Sequence, residues 1–202
     1  MDDPVLSRRS IRAYTTEPVT DELVERLLRA AMAAPSAGNQ QPWQFVVVRE
    51  RETLHAVTVF HPYAAMLDQA PLAILVCGDT RLEKWPDFWP QDCAAATENL
   101  LIEAQALGLG AVWLGVYPLV ERVDGMRALL GLPAHVTPFA LVPVGWPAAA
   151  RTPAACIASA GSAAAGGLAA ADVTCGDGRG VRLERAPTTT RRASPAVWVR
   201  RW

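Results

Sequence analysis

Residues 91–115 read QDCAAATENLLIEAQALGLGAVWLG, and this stretch decides the fold. Its first part, residues 91–107, is rich in alanine and apolar on nearly all sides, which predicts a helix in the centre of the core. Gly108 stands where helices commonly end in a left-handed conformation. Residues 110–115 are short and apolar, as expected of a buried strand. A buried helix followed directly by a buried strand predicts a core that combines both kinds of element.

Further helices and strands alternate around this stretch. Apolar residues at helical spacing predict a helix that begins at Thr20 and is ended by Pro35, with others at about 51–60 and 119–130. Short apolar runs predict strands at 44–48, 71–77 and 139–144. The expected fold class is α+β, with a mixed central sheet of about four strands packed with helices. Residues 85–90 are aromatic and interrupted by proline, and are predicted to form a loop or lid.

Length and composition narrow the class of protein. The chain has 202 residues, 51% of them hydrophobic, enough for one domain and an appendage. The formal net charge of −1 gives no reason to expect a nucleic-acid or membrane-surface partner. The acidic start is followed by no apolar signal sequence, and no window reaches the roughly 18 apolar residues of a membrane span. Four cysteines without a C-x-x-C pair are expected to be buried thiols. We therefore expect a cytoplasmic protein.

The first candidate site is a basic run near the N-terminus, Arg8-Arg9-Ser10-Ile11-Arg12. Guanidinium groups offer a planar fork of donors that stays charged, and a hydroxyl adds another donor, so the run suits a phosphate. In an extended chain alternate residues face the same way, which would direct Arg8, Ser10 and Arg12 together. A solvated basic patch at a terminus is the alternative interpretation of this run.

The second candidate site is Pro35-Ser36-Ala37-Gly38-Asn39-Gln40-Gln41-Pro42-Trp43. Small residues let the backbone approach a ligand closely, and the amides of Asn and Gln supply donors and acceptors. Amides without titratable groups suit the edge of a heteroaromatic ring better than acid–base hydrolysis, and Trp43 could add an aromatic wall. The alternative is a polar connection between a helix and a strand.

The third candidate site is the glycine-rich run at residues 108–115. Its G-x-G spacing continues with four residues where a dinucleotide-binding fingerprint has two, and it leads from helix to strand, which is the wrong order for that motif. We therefore reject a Rossmann-type site. Gly115 remains a place where backbone groups could meet a ligand.

Patterns typical of metal or acid–base chemistry are missing from the sequence. The three histidines are scattered, without the spacing of metal ligands, and His61 is interpreted as a loop residue. Asp92, at the start of the central helix, is interpreted as a capping or dipole group. We predict no catalytic side chain and no metal site. A pocket without an acid–base pair suits a cofactor that supplies the reactivity itself.

These three clusters, in this order, resemble the nitroreductase family of flavin mononucleotide (FMN) enzymes. The resemblance is carried by the basic run 8–12, by residues 34–43, by the alanine-rich helix that enters 108–115, and by Val142-Pro143-Val144-Gly145-Trp146-Pro147. It covers about residues 5–147. Four motifs in register are specific to a degree that none of them is alone.

The resemblance implies a nitroreductase-like fold in which an intertwined homodimer builds two FMN sites. Arg8, Ser10 and Arg12, with Arg9 alongside, would hold the phosphate and ribityl chain. The partner subunit would contribute Pro35, Ser36, Asn39 and Gln41 to the same flavin, and the backbone around Leu114 and Gly115 would face the N5 edge of its ring. Such enzymes take a hydride from NADH or NADPH and then reduce nitroaromatic, quinone or similar acceptors in the same site, by a ping-pong mechanism.

Two alternatives stay open within this interpretation. One is a specialised relative, such as a flavin reductase, a dehydrogenase or a dehalogenase-like enzyme, and the other is a degenerate copy that binds flavin without catalysis. The second alternative arises because residues 148–202 are first rich in alanine and glycine and then in arginine, where similar family members continue with a short basic segment. We predict a domain at 1–147 and a largely disordered tail at 148–202. A shifted reading frame near Pro147 is one hypothesis for the change.

Overall fold

The structure, a computed structural model, describes residues 3–149 and, of the tail, only the backbone of 184–185 and 196–199. Five α-helices lie in the described part: α1 (Pro4–Ser7), α2 (Asp21–Met32), α3 (Arg51–Phe60), α4 (Trp89–Ala106) and α5 (Val120–Leu130). The predicted helices correspond to α2, α3, α4 and α5. Thr20 caps α2 through its side chain, and Gly131 closes α5 in a left-handed conformation.

The strands form one sheet. They are β1 (Trp43–Val48), β2 (Leu72–Asp79), β3 (Gly110–Ala111), β4 (Leu114–Gly115), β5 (Val136–Gly145), β6 (Glu184–Arg185) and β7 (Ala196–Val199). Their order is β3-β5-β2-β1-β7-β6, and β4 also pairs with β5. The α+β class is confirmed.

The prediction of a mixed sheet was wrong, because every pairing of named strands among the described residues is antiparallel. The only parallel pairing in that part of the chain is the isolated bridge between Ser10 and Ala111. The strand count also exceeds four. The predicted strand at 110–115 is interrupted at Val112 and Trp113, and two short tail strands join the sheet.

Helices cover both faces of the sheet. Because successive side chains of a strand point to opposite faces, Phe45 and Val47 of β1 join one core cluster with α2 and α4. Val46 and Val48 join a second cluster with α3 and α5. This arrangement explains why β1 and β2 are buried along their whole length and read as continuous apolar runs. Cys77 and Cys93 are buried free thiols, as predicted, and the other two cysteines lie outside the described residues.

Helix α4 lies against the first face of the sheet, and Gly108 follows it with a φ of +79°. Helix α4 begins two residues earlier than predicted, because Trp89 and Pro90 belong to its first turn and not to the predicted loop. Proline is tolerated at that position, where its missing N–H has no helical partner to bond. Trp89 is buried, whereas Trp85 and Phe88 in the preceding segment are exposed.

The tail contributes β6 and β7, and β7 pairs with β1 along residues 45–48. The rest of 148–202, apart from Ala148 and Ala149, lies outside the described residues, so its disorder stays a prediction. None of the described helices is long and apolar enough to cross a membrane. The cytoplasmic location stays a prediction as well.

Candidate functional site

The basic run lies directly beside strand β3. The backbone N–H of Ile11 donates to the carbonyl oxygen of Ala111 at 3.0 Å, and Ser10 forms the parallel bridge to the same residue. A Cβ on Gly110 would lie 2.6 Å from Cγ2 of Ile11, so this close approach requires a glycine. The first and third clusters of the sequence therefore meet in the fold.

The three arginines of the run differ in what they contact. Arg8 forms an ion pair with Glu98 of α4, with 3.3 Å between Nε and Oε1. Arg9 donates to the carbonyl oxygens of Leu6 and Arg8 at 3.1 and 2.6 Å. Arg12 is exposed and makes no hydrogen bond or ion pair with any described residue. Arg12, with the exposed hydroxyl of Ser10 two residues before it, is thus the cation that remains available for an anion.

Strand β4 presents an open edge at Gly115. Apart from its chain neighbours, no atom of a described residue lies within 4 Å of the position that a Cβ on Gly115 would take, whereas Leu114 beside it is buried in the second core cluster. The carbonyl oxygen of Gly115 faces two side chains: Nη1 of Arg122 donates to it at 2.8 Å, and Nε2 of His61 lies 3.0 Å away. The backbone here is therefore anchored on one side and free on the other.

Aromatic rings surround the end of β4. The ring of Trp89 meets that of Tyr117 edge-on, with 4.8 Å between centroids, and Phe139 lies 6.0 Å from Trp89 and 5.6 Å from Trp113. Tyr117 stacks on Phe139 at 6.4 Å and is 40% exposed. The open edge thus lies next to an apolar, partly exposed wall of the kind that planar ligands contact.

The second cluster forms a strained loop. Gly38, Asn39 and Gln41 all have positive φ values, of 51°, 54° and 48°, which cost energy for residues with a side chain. The hydroxyl of Ser36 accepts the backbone N–H of Gln41 at 3.0 Å and closes the loop. Oε1 of Gln41 is buried without a partner among the described residues, whereas Asn39 is exposed. Strain and an unpaired buried acceptor are typical of a loop whose ligand completes it.

Asp92 holds this loop in place. Its two carboxylate oxygens accept the backbone N–H of Ala37 at 2.9 Å and Nε2 of Gln40 at 2.7 Å. Oε1 of Gln40 in turn accepts the backbone N–H groups of Lys84 and Trp85. The interpretation of Asp92 as a cap of its own helix was therefore wrong, because its carboxylate, 4% exposed, is committed to another segment.

The loop and the basic run stay apart within one chain. Pro35, Ser36, Asn39 and Gln41 form no hydrogen bond, ion pair or ring contact with residues 8–12 or 114–115 in the described structure. Among the described residues, the loop and the basic run therefore form two groups that no hydrogen bond, ion pair or ring contact joins, and the second group lies next to Leu114 and Gly115 on the same sheet.

The sequence did not predict the contacts that two residues make at the open edge, although His61 lies in non-helical backbone after α3, which confirms its interpretation as a loop residue. His61 ends α3 and is 1% exposed, and burial lowers the pKa of its imidazole, with the Arg122 guanidinium adding to that effect. Arg122 lies in the first turn of α5, where a cation opposes the helix dipole. That unfavourable placement was the one signal in the sequence that could have indicated a role. In the part of the chain that the structure describes, no cluster of three His, Cys, Asp or Glu side chains could hold a metal ion.

The fold and the candidate site define an α+β protein with a basic run and an open backbone edge on one sheet, together with a strained amide-rich loop. The chain belongs to the nitroreductase family, a family of oxidoreductases whose profile matches residues 5–58 and 55–146.

Curated relatives support the same assignment. The chain is 52% identical over 146 residues to the “Putative NADH dehydrogenase/NAD(P)H nitroreductase” of Methanothermobacter thermautotrophicus, covering 72% of this chain and 76% of that protein. It is 34% identical over 178 residues to the NADH dehydrogenase of Thermus thermophilus, covering 71% and 84% of the two chains.

A solved structure from Desulfovibrio desulfuricans, whose name records a complex with FMN, is 34% identical to this chain. It has a TM-score of 0.64, with 74% of this chain and 90% of that chain covered.

Proposed function

We propose that this chain is an FMN-dependent oxidoreductase that uses NADH or NADPH to reduce nitroaromatic, quinone or similar acceptors by a ping-pong mechanism. One observation carries the proposal: the available Arg12 and Ser10 lie on the run that pairs with β3, and the open edge at Gly115 lies on β4, which shares the neighbour β5. An anion anchor and a free backbone edge on one sheet suit a ligand that has a phosphate at one end and a ring at the other.

The residues present fit FMN on three counts. Arg12 offers a guanidinium that no described residue neutralises, Gly115 leaves space where any other residue would place a Cβ, and Oε1 of Gln41 is a buried acceptor without a partner. We assign Arg8, Arg9, Ser10 and Arg12 to the phosphate and ribityl chain, and the backbone around Leu114 and Gly115 to the ring edge.

When bound, FMN supplies the hydride transfer that links NAD(P)H to the acceptor. The residues of the chain itself would bind and orient the flavin. Arg12 neutralises the phosphate, the aromatic wall of Trp113, Tyr117 and Phe139 excludes water from the ring, and the buried imidazole of His61 stays neutral beside Gly115. We assign no side chain as a general acid or base.

We further propose that two chains complete each site as a homodimer. Pro35, Ser36, Asn39 and Gln41 make no described contact with the basic run of their own chain, so they are free to serve the flavin of the partner subunit. The FMN complex of the Desulfovibrio desulfuricans relative and the nicotinamide-linked names of the other relatives support the cofactor and the reductant.

Steady-state kinetics of the full-length protein with added FMN test this function. NADH or NADPH oxidation is measured against a quinone and a nitroaromatic compound at several concentrations of each substrate, with the protein heated beforehand as a control. We expect turnover with parallel double-reciprocal lines, the signature of a ping-pong mechanism. Turnover restricted to one acceptor class would favour the specialised relative, and flavin binding without NAD(P)H oxidation would favour the degenerate copy.

A further inference from the structure

Two side chains from two different helices converge on one backbone oxygen at the open edge. Arg122, in the first turn of α5, donates through Nη1 to the carbonyl of Gly115 at 2.8 Å. His61, at the end of α3, places Nε2 3.0 Å from the same oxygen. These residues lie 7 and 54 positions from Gly115 in the sequence, so only the tertiary fold brings them together.

The imidazole of His61 is committed to this carbonyl. Burial of the ring and the nearby Arg122 guanidinium lower its pKa, which keeps it neutral at physiological pH. Because a carbonyl oxygen only accepts, the proton of the neutral ring must reside on Nε2. Nδ1 is then a buried acceptor without a partner among the described residues. Leaving it unpaired costs free energy, which the hydrogen bond from Nε2 to Gly115 must offset.

Arg122 is placed for Gly115 and not for its own helix. A cation in the first turn of a helix meets the positive end of the dipole, which is unfavourable. Within the described residues it has no carboxylate partner. Its guanidinium lies 5.5 Å from the ring centroid of Tyr63, and among the described residues the Gly115 carbonyl is the acceptor of its one side-chain hydrogen bond.

A glycine beside open space needs such restraint. Without a Cβ, Gly115 has wide backbone freedom, which its pairing with Ala140 of β5 and the hydrogen bond from the Val116 N–H to the Phe139 carbonyl at 3.1 Å restrict on the side that faces β5. A charged donor and a neutral donor on the same oxygen restrict rotation of the peptide that follows Gly115. They fix the backbone on the protein side and leave the other side to a ligand.

We propose that Arg122 and His61 are positioning residues that hold the Gly115 backbone in the orientation that receives the edge of the flavin ring. The proposal rests on the proposed function. It adds the two residues, Arg122 and His61, that orient the backbone for its contact with the flavin ring. It predicts that replacing either residue lowers the affinity for the flavin ring system itself, whether or not the flavin carries a phosphate.

Fluorescence quenching of FMN and of riboflavin, which lacks the phosphate, measures that distinction on the full-length protein. Arg122→Met removes the charged donor, and we expect Kd to rise about tenfold for both flavins by the same factor. His61→Phe should raise both values by a smaller factor. Arg122→Lys and His61→Gln each keep an N–H donor and should recover most of the affinity, which a purely structural role would not predict.

Two reference variants complete the experiment. Arg127→Met removes the arginine that pairs with Asp124 on the same helix, and we expect it to lower Tm without changing either Kd. Arg12→Met should weaken FMN and leave riboflavin unchanged.

The proposal is overturned if Arg122→Met and His61→Phe bind both flavins as tightly as the parent protein, if their loss is confined to FMN, or if Arg127→Met weakens binding equally. A parent protein that binds neither flavin would refute the proposed function, and this pairing with it.

Discussion

At the level of single residues, Arg12 and Gly115 contribute different properties to the proposed site. Arg12 contributes a positive charge, and Gly115 leaves space beside the backbone. If Arg12 neutralises a phosphate, its replacement by methionine removes a charge-assisted contact worth about 1.5–3 kcal/mol, or roughly a tenfold to hundredfold increase in Kd for FMN. Isothermal titration of the purified variant measures this increase. Glu17→Gln, a change at an exposed position on the same segment, is the matched control. An unchanged Kd for FMN would remove Arg12 from the site.

Gly115 should be unusual among the glycines in tolerating a side chain structurally but not functionally. We expect Gly115→Val to keep the free energy of unfolding within about 0.5 kcal/mol of the parent, because its Cβ meets no atom within 4 Å among the described residues outside its chain neighbours, and to abolish flavin binding. Gly110→Val is the contrasting control, because its side chain would collide with Ile11 and should cost about 1–3 kcal/mol. Urea unfolding and flavin titration measure the two effects. Flavin binding by Gly115→Val would contradict the assignment.

His61 should make stability depend on pH. Its pKa is lowered in the folded state, so below the ordinary value of 6.5 the unfolded chain takes up a proton that the folded chain does not. The contribution of His61 to the free energy of unfolding should therefore fall as the pH is lowered from 6.5 toward the folded-state pKa. Urea unfolding at pH 7.5, 6.5 and 5.5 should show a smaller decline for His61→Gln than for the parent. Equal declines would show that His61 does not titrate differently on unfolding.

The sequence allowed some of these residues to be predicted and not others. Arg8, Ser10 and Arg12 lie within five positions, so their suitability for an anion can be read locally, but the bridge to Ala111 joins distant parts of the chain and could not be. The contact of His61 with the Gly115 carbonyl could not be predicted, because 54 positions separate the two residues, and for Arg122 only its place in the first turn of a helix gave a signal. The capping role of Asp92 was wrong for the same reason, whereas its place in the first turn of α4, which the dipole interpretation requires, is confirmed.

At the level of elements, Asp92 joins helix α4 to the loop at 35–43, and Gln40 extends that connection to residues 84–85. Asp92→Leu would leave two donors without partners, and we expect a loss of about 2–6 kcal/mol in the free energy of unfolding. Asp92→Asn keeps an acceptor oxygen and should lose less. Gln91→Leu, at the exposed neighbouring position, is the control and should change little. Equal stability of Asp92→Leu and the parent would show that the network contributes nothing.

Element prediction succeeded where periodicity was strong and failed where pairing decided the outcome. The apolar run that became β2 and the alanine-rich helix α4 follow from burial on all sides. The direction of pairing did not follow, because alternating helices and strands also suit parallel sheets, whereas α3 here connects antiparallel neighbours. The two-residue strands β3 and β4 are too short for any periodic signal.

At the level of the whole molecule, the two separate halves of the site lead to a test of the homodimer. Arg12→Met and Asn39→Ala should each retain less FMN after gel filtration than the parent, because each change weakens both sites of a homodimer. A mixed dimer places both changes in one site and leaves the other intact, so co-expression with two different affinity tags should restore part of the flavin content. A purified mixed dimer without flavin would show that the loop serves its own chain.

The most direct test of the proposed flavoenzyme is the visible spectrum of the purified full-length protein after incubation with FMN and gel filtration. We expect a retained flavin spectrum that bleaches when NADH or NADPH is added without oxygen. A protein that emerges free of flavin after incubation with excess FMN would contradict the assignment of the basic run and of Gly115, and would leave this chain as a family member without the family's cofactor.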